Sequence, residues 1–90
     1  MRSFEAWKRK QLKNPAFKRE YDALESEFAL ARELIGARAK AKLSQAQVAR
    51  RMGTSQSAVA RMESGRTLPS TTSLVKYAKA VGRELKVTLR

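Results

Sequence analysis

Gln56, Ser57, Ala58 and Arg61 put a carboxamide, a hydroxyl, a methyl and a guanidinium within six consecutive residues. Those groups match what the edges of DNA bases offer. A glutamine amide pairs bidentately with adenine, a guanidinium pairs bidentately with guanine, and an alanine methyl packs on the thymine methyl. The same side chains also suit an ordinary exposed helix start, so the reading depends on the elements around them. Ser44 and Ser55 each stand ahead of a helical stretch whose first N–H groups have no intrahelical acceptor and favour an anion such as phosphate. Arg50 and Arg51 fit phosphate contact and a solvated helix face equally well, and Lys40 and Lys42 are similar.

The elements that must position these groups are written in local signals. Ser44-Gln45-Ala46-Gln47 is a capping box, which predicts a short helix through Met52 with Val48, Ala49 and Met52 inward. Gly53 supplies the left-handed backbone of a tight turn. Ser55 caps a second short helix with Val59 and Met62 inward, closed at Ser64-Gly65, and after Pro69 the cap Ser70 opens another that carries Leu74, Tyr77, Ala78 and Val81 and stops at Gly82. Counted from Gln45, Val48, Ala49, Gly53, Val59 and Met62 fall at places four, five, nine, fifteen and eighteen. Two helices crossing steeply through a three-residue turn need a small residue at Ala49, a positive backbone angle at Gly53 and apolar wedges at the other three places.

Upstream, Asn14-Pro15 is a helix-start signal. Phe17, Tyr21, Leu24, Phe28, Ala31 and Ile35 then alternate at spacings of four and three, predicting one apolar stripe on a long helix that runs on through Lys40 despite Gly36. Ser3–Leu12 is a shorter, conditional helix. Between Glu84 and Leu89 the pattern changes to period two, with Leu85, Val87 and Leu89 alternating against polar residues, as in a half-buried strand. A lone strand needs a partner, and the economical one is its counterpart in a second copy.

Composition narrows the chemistry. Ninety residues form one small domain with a modest core. Twenty Lys and Arg against eight Asp and Glu leave a net charge of +12, which points to a polyanionic partner. The charge is +5 over residues 1–20, −3 over 21–36, +6 over 37–66 and +4 over 67–90. With no Cys and no His, disulfides, zinc fingers, thiol nucleophiles and imidazole acid–base catalysis are all excluded, so neither an enzyme nor a metal or organic cofactor is expected. No apolar run approaches the ~20 residues of a membrane span and no apolar leader precedes Trp7-Lys8-Arg9-Lys10, so a cytoplasmic protein without a membrane or small-molecule partner is expected.

The segments Leu43-Ser44-Gln45, Val48-Ala49, Met52-Gly53, Ser55-Gln56-Ser57-Ala58-Val59 and Arg61-Met62-Glu63-Ser64-Gly65-Arg66, with Pro69-Ser70 after them, resemble the Cro-like (XRE) helix-turn-helix regulators over roughly residues 24–82. The resemblance implies an all-α, lambda-repressor-like domain of about five helices with a short C-terminal β-strand. It also implies a homodimer that places Gln56, Ser57 and Arg61 against the bases of a palindromic double-stranded operator, while Gln45 and Arg66 grip phosphates. The expected organisation is an arm and helix start at 1–22, the helix-turn-helix domain at 23–82 and a dimerisation strand at 83–90.

The Asn14-Pro15-Ala16-Phe17 start and the Gly82–Leu89 tail are similar to those of HigA-type antitoxins. That narrower resemblance implies a repressor that also neutralises a ribosome-dependent messenger-RNA-cleaving toxin of HigB/RelE type, the alternative being a stand-alone regulator. Phe4, Trp7 and Phe17 on the basic arm, and the acidic Glu20, Asp22 and Glu25, are the expected toxin contacts. The arm also has two other uses, covering the domain's own surface or reaching DNA, and the acidic group also suits a solvated helix face.

Overall fold

The computed structural model describes the backbone of residues 15–90 and, apart from residues 17 and 19–24, their side chains. Four helices follow in order: α1 (Pro15–Lys40), α2 (Gln45–Met52), α3 (Gln56–Met62) and α4 (Thr71–Ala80). The expected Ser3–Leu12 helix, with Phe4 and Trp7, lies outside the described residues, as do the side chains of Phe17, Glu20 and Asp22.

Each short helix begins where a serine satisfies its free amino end. The Ser44 hydroxyl oxygen accepts from the Gln47 N–H at 3.1 Å while the Gln47 Oε1 accepts from the Ser44 N–H at 2.7 Å. Ser55 and Ser70 accept from Ala58 N–H and Ser73 N–H, each at 3.1 Å. Gly53 closes α2 at φ 72° and ψ 35°, and the Thr54 N–H then reaches back to the Ala49 carbonyl at 2.9 Å. That left-handed residue redirects the chain within three positions, so α2 and α3 pack directly on one another.

Val48 and Val59 are fully buried, and Ala49, Met62, Tyr77, Ala80, Val81 and Leu34 complete the core. The apolar face of α1 differs from the predicted stripe. Leu34 and Ala31 are buried, and Leu30, Ala37 and Ala41 pack against the core, whereas Phe28 and Ile35 are 46% and 39% exposed. Residues 28–41 carry two overlapping apolar phases, and the core takes the set 30, 34, 37 and 41. Phe28 is not idle: its ring lies against Gly65, which at φ 74° has no room for a β-carbon.

The predicted C-terminal strand does not form: residues 83–90 have no regular structure, and no strand occurs among the described residues. Extended backbone gains stability by pairing, and no second strand is present to pair with it. Of the three alternating residues, Leu85 is half-buried in a groove with Leu30, Leu34, Tyr77 and Val81, while Val87 and Leu89 are 72% and 93% exposed.

Candidate nucleic-acid interface

Helix α3 is the element on which the candidate reading residues sit. Gln56 and Ser57 are exposed in its first turn, Arg61 is exposed one turn later, and Ala58 is half-buried. Ala58 and Arg61 line one groove beside α3, closed on its far side by Thr67, Ser73 and Lys76. Ser44 and Ser55 are committed as hydrogen-bond acceptors to their own helices, and each hydroxyl retains a proton to donate outward. Arg66 is exposed in a loop stitched by Ser64, whose hydroxyl donates to the Arg61 carbonyl at 2.7 Å and accepts from the Arg66 N–H at 3.2 Å.

Arg50 is exposed, but its neighbour Arg51 donates from Nη1 to the Ala80 carbonyl at 2.9 Å and so closes the carboxyl end of α4. Lys42 turns the chain from α1 into α2 at φ 59°. Gln45, expected on phosphate, is half-buried and directs Nε2 inward to Glu63 Oε1 at 3.1 Å.

That carboxylate is the hub that holds α3 in place, and sequence reasoning assigned it no role. Glu63 follows the last residue of α3, and its side chain is 3% exposed. Its Oε2 accepts from Arg38 Nε at 2.8 Å and from the Tyr77 hydroxyl at 2.6 Å, and its Oε1 accepts from Arg38 Nη2 at 2.9 Å and from Gln45. One carboxylate thereby ties the end of α3 to α1, α2 and α4. Arg38 also donates from Nη1 to the Leu43 carbonyl at 3.1 Å, which anchors the α1–α2 turn. The single Tyr77 proton has a second acceptor, the Leu34 carbonyl at 2.8 Å, but the ionised carboxylate is the stronger one.

Burial pushes the Glu63 carboxyl upward, yet the hydrogen bonds from Arg38, Tyr77 and Gln45 outweigh it and hold the group below its ordinary value. The bond to Glu63 raises Arg38, and burial first, then the bond to Glu63, pushes the Tyr77 hydroxyl above the usual tyrosine range. A signal for this hub exists in the sequence. Between residues 34 and 83 there are ten Lys and Arg but only one acidic residue, Glu63, and it comes directly after the inward-facing Met62. Arg38 lies four residues beyond Leu34, on the same helix face.

A helix-turn-helix family model matches residues 34–87. The chain belongs to the XRE-type helix-turn-helix family. Searches of curated proteins and of solved structures gave no match. The family match begins at Leu34, where α1 joins the core, and takes in both helices of the motif, α4 and most of the tail. It makes the chain a DNA-binding regulator of that family. Among the described residues of this XRE-type domain no group of His, Cys, Asp and Glu is arranged to hold a metal, and no helix is long and apolar enough to cross a membrane.

Proposed function

We propose that the protein is a sequence-specific repressor that binds a palindromic operator as a homodimer, with α3 in the major groove. The observation that carries this reading is the set Gln56, Ser57 and Arg61, exposed on a helix whose two ends are fixed by the Ser55 cap and the Glu63 hub. Rigid placement matters because a bidentate contact tolerates little angular error. Arg61→Ala should cost about 1–3 kcal/mol on the best site and relax the preference at one base pair. Selection from a random duplex library, followed by fluorescence anisotropy on the selected site, measures both. An unchanged base preference in the variant would overturn the assignment of Arg61.

Exposed Val87 and Leu89, on a tail with strand-like alternation and no pairing partner, support self-association through residues 83–90. A proline at Val87 removes a ladder donor and should shift the protein toward monomer in sedimentation equilibrium. An intact dimer would exclude this interface.

We further propose that the regulator is the antitoxin of a toxin–antitoxin operon. Support comes from α1, which starts at Pro15, well ahead of the family-matched segment, and carries the chain's one net-acidic stretch, residues 21–36. A net-acidic stretch suits a basic, RNA-cleaving toxin, with Glu25 exposed on it, Asp22 within it and Glu20 directly ahead of it. Co-expression with the product of the adjacent reading frame and affinity pull-down tests this, and the absence of a stable complex would leave a stand-alone regulator.

A further inference from the structure

Lys76 and Lys79 project from α4, outside the motif, and belong to neither the reading residues nor the core. Both are exposed. Together with Arg51 and Met52 they line a concave surface between the end of α2 and α4. Lys76 and Met52 also line the groove that contains Arg61, so the two depressions share a wall and run on from the reading helix.

Three physical features make this band more than a solvated face. Its cations are unneutralised: among the described residues the ion pair is Arg38–Glu63, and no other acidic residue occurs between 34 and 83. Arg51 is held in place by its bond to the Ala80 carbonyl, so one of the three charges is already ordered although the residue is exposed. Lys76 and Lys79, three residues apart on a helix, present their ammonium groups on one side. The arrangement is a short track of positive charge leading away from Arg61.

We propose that Arg51, Lys76 and Lys79 form a second phosphate-binding track that grips the DNA backbone flanking the base pairs read by α3. The inference rests on the DNA-binding reading above and extends its footprint to α4. The track adds affinity and salt dependence but no sequence information, because phosphates are the same at every step. Continuity with the Arg61 groove favours a nucleic-acid backbone over an acidic protein segment as its occupant.

The test compares two doubly substituted full-length chains that lose the same charge. K76Q/K79Q removes two cations of the track, and K18Q/R32Q removes two exposed cations of α1. All bind a 30-base-pair duplex of random sequence, followed by fluorescence anisotropy between about 50 and 200 mM potassium chloride, with circular dichroism confirming the helix content. Loss of two phosphate contacts makes the slope of log affinity against log salt shallower by about 1.8 for each protomer. That change is expected for K76Q/K79Q, with the base preference on a selected site unaltered, and a much smaller one for K18Q/R32Q. Equal slopes for the two variants would overturn the track while leaving the DNA reading standing. A wild-type chain with no salt-dependent binding to the duplex would overturn both.

Discussion

Replacing Arg38 with methionine will lower the folding stability by about 3–5 kcal/mol, because it leaves a buried carboxylate without its counter-charge. Glu63 has four hydrogen bonds in the native state, and two of them come from that guanidinium. A domain of this size has only about 5–15 kcal/mol of net stability, so the variant sits near the edge of folding, with a melting temperature reduced by roughly 20 °C. The double variant Arg38→Met/Glu63→Leu should recover most of the loss. The Tyr77 hydroxyl still has the Leu34 carbonyl to bond, and well-packed apolar residues commonly replace an ion pair at little cost. Chemical denaturation of the wild type and both variants decides the matter: a single variant within about 1 kcal/mol of wild type would mean that the pair does not support the fold.

The same pair sets a pH dependence whose sign reverses between the two proteins. In the wild type Glu63 is held below its ordinary value of 4.5, so its contribution is complete above that value and is lost as the pH falls through the depressed one. In Arg38→Met, burial dominates and raises the carboxyl. Protonation then relieves the buried charge, and stability should rise as the pH is lowered from neutrality toward about 4.5. The two stability curves should therefore converge in acid.

DNA affinity will fall by roughly 10³–10⁵ between about 50 and 200 mM salt if the proposed dimer neutralises about 6–10 phosphates. The charge distribution supports an effect of that size. Among the described residues, Arg38 is the one of the ten Lys and Arg between 34 and 83 that pairs with a carboxylate, which leaves Arg50, Arg61, Arg66, Lys76 and Lys79 on each protomer without a counter-ion among those residues. Anisotropy titrations on a selected operator measure the slope. A change of less than tenfold over this range would show that ionic contacts to the backbone are not the main source of affinity. The base-reading residues include a single charge, Arg61, so most of the specificity should persist as the affinity drops.

Much of the candidate site was legible before folding was considered. The Ser44, Ser55 and Ser70 caps, the left-handed Gly53 and the inward Val48, Ala49, Val59 and Met62 all lie where local patterns put them. The face of α1 was not legible in the same way, because Phe28 and Ile35 form as good a stripe as Leu30, Leu34, Ala37 and Ala41. Gln45 looked like a surface amide at a helix start, and only the position of Glu63 gives it an interior partner.

The distinction follows from the range of the interactions. Caps and glycine turns are settled by hydrogen bonds three or four residues long and by the sign of one backbone angle, so sequence alone determines the helix-turn-helix and the order of its elements. The Glu63 hub joins residues separated by 14, 18 and 25 positions. Such bonds exist only once burial has made an unpaired carboxylate costly, and they fix the end of α3 against α1, α2 and α4. The tail at 83–90 marks the remaining boundary: its alternation is in the sequence, but a strand needs a partner that one copy of this fold does not supply.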